Sequence, residues 1–171
     1  MATAAGDPIR ATDDDVITQA SSGKPLVRLI QQVAQSIPSG ISTAITFGAG
    51  SEDIDTNGWH DTVTNNTRVT PTVAGYYRVT GGYVTTTSSF AAANSIDCAV
   101  AKNGVSAASG ERQGGATTNT QLMCIAGAIL SANGTTDYFE CMANQVTGVA
   151  INTHIAQRLS SFLEVEFLRP L

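Results

Sequence analysis

Short runs of alternating apolar and polar residues, separated by turn signals, extend from Ile37 to Leu168 and predict an all-β domain. The last run, residues 160–168, reads Ser-Ser-Phe-Leu-Glu-Val-Glu-Phe-Leu, so every second side chain points to the same face of a strand. Asn-Gly pairs at 57–58, 103–104 and 133–134 supply residues that tolerate the positive φ angles of tight hairpins. We expect a sandwich of antiparallel strands without an interior helix.

The longest runs also predict which side chains form the core. Residues 76–84 alternate, and we expect their buried face to hold Tyr77, Val79 and Tyr83 and their other face to hold Tyr76, Arg78, Thr80 and Val84. Residues 96–102, with Ile96, Cys98 and Val100 pointing one way, run into Asn103-Gly104 and predict a half-buried strand and a hairpin. The nearly all-apolar run 121–130 predicts a strand covered on both faces, and residues 137–143 are expected to return antiparallel after Asn133-Gly134.

The segment from Leu26 to Ile37 fits both a helical and a strand period. Its apolar positions form one helical face starting at Pro25, and an overlapping set fits one face of a strand. The period of the apolar residues alone does not decide between a helix and a strand for residues 26–30. We favour a strand for residues 31–37, because Pro38-Ser39-Gly40 would end it.

The first 25 residues have a different composition from the rest of the chain. They carry Gly6, Pro8, the acidic run Asp13 to Asp15 and Ser21-Ser22-Gly23, with no apolar period that could build a core element. We therefore predict an extended N-terminal arm over residues 1–25 and a head domain over residues 26–171. The arm is expected to be held by a partner subunit, with its acidic run pairing to basic groups there.

Composition limits the classes of partner. Charged residues are 13% of the 171-residue chain, against roughly 25% in typical proteins, and such a surface suits close neighbours. The net charge of -5 and the scattered basic residues argue against nucleic acid. No signal peptide and no apolar run of membrane-spanning length is found, so we expect a protein that is made in a cytoplasm, stays soluble and contacts no membrane. Cys98, Cys124 and Cys141 are expected to be buried thiols.

Candidate chemistry in the sequence is weak. Asp53, Asp55 and Asn57 match the opening of a calcium loop, but Thr64 stands where a bidentate Glu is needed, and an Asn-Gly loop is the simpler interpretation. His60 and His154 lie in no nucleophile-and-base spacing, and Trp59 is more typical of a structural anchor than of a sugar platform. We therefore expect no enzyme, no catalytic residue, no cofactor and no resident metal.

Several motifs in order resemble the globular heads of complement C-one-q and the tumour-necrosis-factor superfamily. They are Ala74-Gly75-Tyr76-Tyr77, Lys102-Asn103-Gly104, residues 130–135 (Leu-Ser-Ala-Asn-Gly-Thr) and Ser160-Ser161-Phe162-Leu163. The resemblance covers about residues 37–169. It implies a ten-stranded jelly roll that assembles as a trimer through aromatic and aliphatic side chains. The aromatic residues expected at the trimer axis or in the core are Tyr76, Tyr77, Tyr83, Tyr138, Phe139, Phe162 and Phe167.

The N-terminal portion resembles virion proteins of tailed bacteriophages of actinobacteria. The resemblance rests on Gly6 to Ala11, Gln31 to Pro38 and Ile45-Thr46-Phe47. It implies a role on the virion surface, most simply as a trimeric head decoration protein docked onto the major capsid protein through the arm. The expected arm contacts are Asp7, Pro8, Ile9, Arg10, Asp13, Asp14 and Asp15. The alternative is a tail-associated receptor-binding protein that presents loops such as 52–66 and 109–120 to host glycans.

Overall fold

The computed structural model describes residues 23–86, 91, 94–110, 113–114, 121–156 and 159–171. The predicted arm contacts at positions 7–10 and 13–15 lie outside these ranges, so arm docking stays a prediction. Regular structure in the described ranges consists of strands alone, in agreement with the predicted all-β class. The strands are β1 (Leu26–Ile30), β2 (Ser36–Ile37), β3 (Thr43–Ala44), β4 (Glu52–Asp55), β5 (Arg68–Val69), β6 (Ala74–Val84), β7 (Ser95–Lys102), β8 (Val105–Ser109), β9 (Gln113–Gly114), β10 (Met123–Asn133), β11 (Phe139–Val146), β12 (Ile151–Asn152) and β13 (Phe162–Pro170).

Two antiparallel sheets form the sandwich. The front sheet has the strand order β10-β6-β13-β1-β4, and the back sheet has the order β3-β11-β7-β8, with β5 also pairing to β11 and β9 to β7. A small third pair joins β12 to β2. Successive strands repeatedly change sheet, as in a jelly roll, so most contacts of the core join residues far apart in sequence.

The core lies between the two sheets and contains the residues that the alternation predicts. Tyr77, Val79 and Tyr83 of β6 are fully buried, as are Ile96, Cys98 and Val100 of β7, as predicted. The expectation that β7 is half-buried is wrong, because Ala99 and Ala101 on its other face are buried too. An aromatic cluster crosses the core at one end, where the Tyr77 ring lies 5.7 Å from the rings of both Trp59 and Phe139. The Tyr77 hydroxyl donates a hydrogen bond to the Val73 carbonyl, so this large side chain is buried with its polar group satisfied.

Two adjacent glycines let β6 approach neighbours on both of its sides. A Cβ on Gly81 would lie 2.8 Å from Cys141 Sγ and 3.1 Å from Cys141 Cβ, so the back sheet packs directly against this backbone. A Cβ on Gly82 would lie 2.2 Å from Cε1 of the Phe162 ring, which covers β6 on the opposite side. Both glycines are therefore packing residues, since neither needs a positive φ.

The first segment of the predicted head domain, residues 26–37, differs from the sequence prediction. Residues 26–30, which period left open, form strand β1, whereas the predicted strand over 31–37 is wrong except at Ser36 and Ile37. Gln31 to Gln35 form an irregular connection, in which Gln35 accepts hydrogen bonds from the Thr46 backbone and hydroxyl. Hydrogen bonds of side-chain amides thus take the place of the backbone hydrogen bonds between strands that the apolar pattern predicted.

The Asn133-Gly134 turn also differs from its prediction. Residues 137–143 were expected to pair back onto 121–130, but β10 pairs with β6 and β11 pairs with β7 in the other sheet. The turn therefore carries the chain from one sheet to the other. Asn103-Gly104 does close a β7–β8 hairpin as predicted, with positive φ at both residues.

The strand registers define two ends of the sandwich. At the terminal end, Leu26 opens β1 opposite Glu166, and β13 finishes with Pro170 opposite Gly75. At the far end, β1 and β6 finish and β10, β13 and β7 begin. The arm therefore joins the head at the terminal end.

We predict that Gly81→Ala destabilises the folded head by about 1–3 kcal/mol, because the added methyl group overpacks the space filled by Cys141. The matched control is Gly114→Ala, since a Cβ there meets nothing within 4 Å. Urea unfolding of both variants checks this expectation. Equal midpoints for the two variants would contradict it.

Candidate interaction face

The side of the front sheet that points away from the core, here called the front face, carries an unusual mixture of side chains. Register places its positions in cross-strand rows, and one row contains Ile125 of β10, Gly82 of β6, Phe162 of β13 and Ile30 of β1. Because Gly82 has no side chain, the Phe162 ring can lie directly over the β6 backbone. This row is an apolar belt near the far end of the sheet.

The rows toward the terminal end combine paired ionic groups with the exposed Ile129 of β10, which lies opposite Arg78. Glu164 of β13 lies 3.2 Å from Arg28 of β1, and Glu166 accepts a hydrogen bond of 2.8 Å from Arg78 of β6. These side chains are substantially exposed, so each pair stabilises the fold by no more than about 1 kcal/mol. Their main effect is to neutralise the charge of the face, which presents paired groups rather than single charges.

Strand β10 forms one edge of the front sheet and exposes two isoleucines. Ile125 is 50% exposed and Ile129 is 63% exposed, while Cys124 and Ala126, on either side of Ile125, point into the core. The prediction that this strand is covered on both faces is therefore wrong for the single chain. Sequence reasoning missed Ile125 and Ile129 because it took the run 121–130 as uniformly apolar; the alternation of small and large residues within it was the available signal.

A groove crosses the apolar belt of the front face. Its volume is about 250 Å³. The lining residues are Arg28, Ile30, Thr80, Met123, Ile125, Ser160, Phe162 and Glu164. Aliphatic and aromatic walls with a neutralised ion pair at one side suit an apolar partner surface.

The predicted aromatic residues divide between this face and the core. Tyr77, Tyr83 and Phe139 are fully buried in the core, and Tyr76 and Phe162 lie on the front face. The remaining two lie near the terminal end: Arg68 stacks on Tyr138 at 3.9 Å, and the Phe167 ring lies 5.4 Å from the Tyr77 ring. Of the seven, Tyr76 and Phe162 are thus placed to contact another chain.

The loop after β4 uses its polar groups internally. The Asp55 carboxylate accepts hydrogen bonds from the backbone amides of Asn57, Trp59 and His60, while Asp53 lies 3.6 Å from Arg28. In the described part of the chain, no group of three His, Cys, Asp or Glu side chains is arranged to hold a metal ion. An ion at the candidate positions 53, 55 and 57 would have to displace these interactions, and such a site stays a prediction.

Trp59 and His60 are structural in this arrangement. Trp59 is buried, and its indole nitrogen donates a hydrogen bond to Thr72 Oγ1 at 2.9 Å. Both ring nitrogens of His60 lie 2.8 Å from backbone carbonyl oxygens, those of Arg68 and Phe47. Neither side chain is available as a sugar platform or as a general base.

The described parts of the two loops proposed for glycan contact lead toward opposite ends of the sandwich. Thr56, which follows β4, donates its backbone N–H to Leu26 at the terminal end. Ser109 and Gly110 lead instead toward β9, which pairs with the far-end start of β7 at Ser95. The described parts of the two loops therefore do not form one shared site.

The cysteines converge beneath β6 as buried thiols. Cys98 Sγ lies 3.9 Å from the Gly81 carbonyl, and Cys141 Sγ lies 3.8 Å from the Gly82 carbonyl. Burial raises the pKa of the Cys141 thiol to about 12, and the neighbouring Cys124 thiol together with burial raises the pKa of Cys98. Protonated, inaccessible thiols are poor nucleophiles, so they provide no basis for covalent catalysis.

Comparison with solved structures identifies the fold as a jelly roll of the complement and tumour-necrosis-factor type. The globular domain of zebrafish complement 1qA is 14% identical with a TM-score of 0.53, and 85% of this chain covers 97% of that chain. Murine APRIL is 8% identical with a TM-score of 0.62, covering 85% and 100% of the two chains. Eiger TNF from S. frugiperda is 11% identical with a TM-score of 0.57, covering 86% and 94%. No protein-family model and no curated protein matches the sequence.

We predict that all three thiols resist alkylation in the folded protein at neutral pH and react on unfolding. The raised pKa of Cys141 also has a consequence for stability, because above the ordinary thiol value of 9.0 the unfolded chain loses this proton while the folded chain keeps it. Stability from this group is therefore complete below pH 9.0 and declines as the pH rises toward about 12. Thiol titration with a chromogenic disulfide, with and without urea, checks the first expectation; rapid labelling of the native protein would contradict it.

Proposed function

We propose that this chain is a non-enzymatic structural protein of a phage particle, whose head forms a homotrimer through the front face. Its most economical role is a capsid decoration protein, with the head displayed at the virion surface and the N-terminal arm docked onto the major capsid protein. The observation that carries the proposal is the apolar belt on an otherwise neutralised sheet face. The jelly-roll fold adds support, since cyclic assembly suits a head with one such face.

Burial of the exposed isoleucines of the front face, Ile125 in the belt and Ile129 beside Arg78, provides a physical reason for assembly. Full burial of one isoleucine side chain stabilises a complex by about 1.5–3 kcal/mol, and Ile125 and Ile129 retain half or more of their exposure in the single chain. Arg28 and Arg78 already have acidic partners, and Arg169 lies over the Tyr76 ring at 4.4 Å, so each of these three cations keeps a partner when the face is covered. A contact between copies therefore gains apolar burial at a modest electrostatic cost.

The arm supports the location on a particle. The head begins at Leu26 on the terminal end, so three arms of a trimer would leave the head from the same end. Three linked arms raise the effective concentration of each one after the first has bound, and weak single contacts then suffice. The acidic run from Asp13 to Asp15 suits a basic groove between capsid subunits.

The interface is tested by Ile129→Asp. Arg78 lies directly opposite on β6 and offers the new carboxylate a partner, so the single head keeps its fold while the apolar contact is lost. We expect the parent chain to have the light-scattering mass of a trimer and the variant to have that of a monomer. Val105→Asp, at another exposed aliphatic on the back-sheet edge strand β8, is the control and should stay trimeric. A monomeric parent, or a trimeric Ile129→Asp variant, would refute this interface.

The arm is tested by a chain lacking residues 1–22. We expect this chain to form the same trimer but to fail to bind particles, because the head is complete from β1 onward. Labelled antibody against the head should mark the capsid shell of intact virions, and attachment should weaken at high salt if the acidic run contributes. Undiminished attachment of the shortened chain would overturn the anchoring role.

The far end of the head favours the second candidate, a tail-associated receptor-binding protein. Its described loop residues 31–42, 147–156 and 159–161 contain no Asp, Glu, Lys or Arg, while Arg158 lies outside the described residues. Val33, Ile41, Val149 and Leu159 are exposed there, away from the arm. Such a surface could meet an uncharged host glycan or protein, and antibody label at the tail tip rather than over the shell would select this function.

A further inference from the structure

The three Asn-Gly pairs of the chain are chemically alike in sequence but differ in the structure. Asn-Gly is the dipeptide most prone to deamidation, because the glycine offers little steric hindrance when its backbone nitrogen attacks the preceding side chain. Attack requires that the asparagine amide can rotate toward the next residue. Hydrogen bonds that hold the amide therefore slow the reaction.

Two of the pairs hold their asparagine amides firmly. Asn103 donates from Nδ2 to Asp137 at 2.7 Å and accepts at Oδ1 from the Tyr138 backbone at 3.0 Å. Asn133 accepts at Oδ1 from the backbone N–H groups of Thr135, Thr136 and Asp137, and its Nδ2 donates to the Thr136 hydroxyl at 2.8 Å. Both amides serve as turn caps.

The third pair is held much less. Asn57 and Gly58 are both exposed, and a Cβ added at Gly58 would meet nothing within 4 Å. Asn57 Oδ1 accepts one hydrogen bond, from the neighbouring Thr56 hydroxyl at 2.9 Å. Among the described residues, Asn57 Nδ2 has no acceptor within hydrogen-bonding distance, so the leaving group of the reaction is unrestrained.

We propose that Asn57 is a site of spontaneous deamidation and that the fold confines the reaction to this one of the three Asn-Gly pairs. The Gly58 nitrogen loses its proton to solvent hydroxide and attacks Asn57 Cγ. The bond from Cγ to Nδ2 breaks, and ammonia leaves with a proton taken from water. Water then opens the resulting succinimide at either carbonyl, leaving aspartate or isoaspartate at position 57.

The modified loop lies where the arm joins the head. Thr56, next to the reacting residue, donates its backbone N–H to the Leu26 carbonyl and accepts at its hydroxyl from the Leu26 N–H. Isoaspartate would lengthen the backbone by one methylene beside this contact, and either product adds a negative charge near Asp55. Deamidation therefore changes the arm–head junction as the protein ages.

The test is peptide mapping by mass spectrometry of the full-length protein, incubated in mildly alkaline buffer with and without urea. In the native state we expect deamidation at Asn57 to be at least about tenfold faster than at Asn103 or Asn133, because two or more hydrogen bonds must break at those sites. In urea the three rates should converge. The Asn57→Gln variant should lose only the signal at position 57.

Three outcomes would overturn the proposal. Equal rates at the three sites in the native protein would show that the hydrogen bonds do not protect. A faster reaction at Asn57 in urea as well would assign the difference to sequence context instead of the fold. An unmodified native Asn57 alongside reaction in urea would show that the loop itself is protective.

Discussion

The alternation of side chains along β6 is the constraint on which the rest of the structure depends. This strand of 11 residues pairs with β10 along its whole length and with β13 on its other side, so its register fixes the two faces of the front sheet. Tyr77, Val79 and Tyr83 therefore point into the core. Tyr76, Arg78 and Thr80 are committed to the opposite face, and a shift by one residue would exchange the two sets.

Gly81 and Gly82 also determine how closely neighbouring side chains can approach the backbone of β6. At Gly81 the back sheet comes close enough for Cys141 to contact the backbone of β6, which closes the core around the three thiols. At Gly82 the Phe162 ring occupies the space of the missing side chain and forms part of the apolar belt on the front face. Two neighbouring residues thus determine both the tightness of the sandwich and the surface that it offers to another chain.

Local sequence patterns were sufficient to predict the fold class and much of the core. They were insufficient to predict which strands pair when the strands are far apart in the sequence. The period-two runs around Tyr77 and Ile96 predicted the buried faces correctly, because burial follows directly from alternation. The partner of β10 could not be read from the turn at Asn133-Gly134, since a turn limits distance but does not decide which sheet the next strand joins. The exposure of Ile125 and Ile129 was missed for a related reason: their neighbours in the run are apolar too, and the run does not show that nothing covers the front face in the single chain.

The proposed role follows from what this face presents. In the described part of the chain, its arginines have carboxylate or aromatic partners, and its aliphatic side chains are left uncovered by the single chain. Sedimentation equilibrium of the unmodified full-length protein over a range of concentrations tests this account most directly. The account predicts a mass three times that of the chain, held on dilution; a single-chain mass at all concentrations would contradict it.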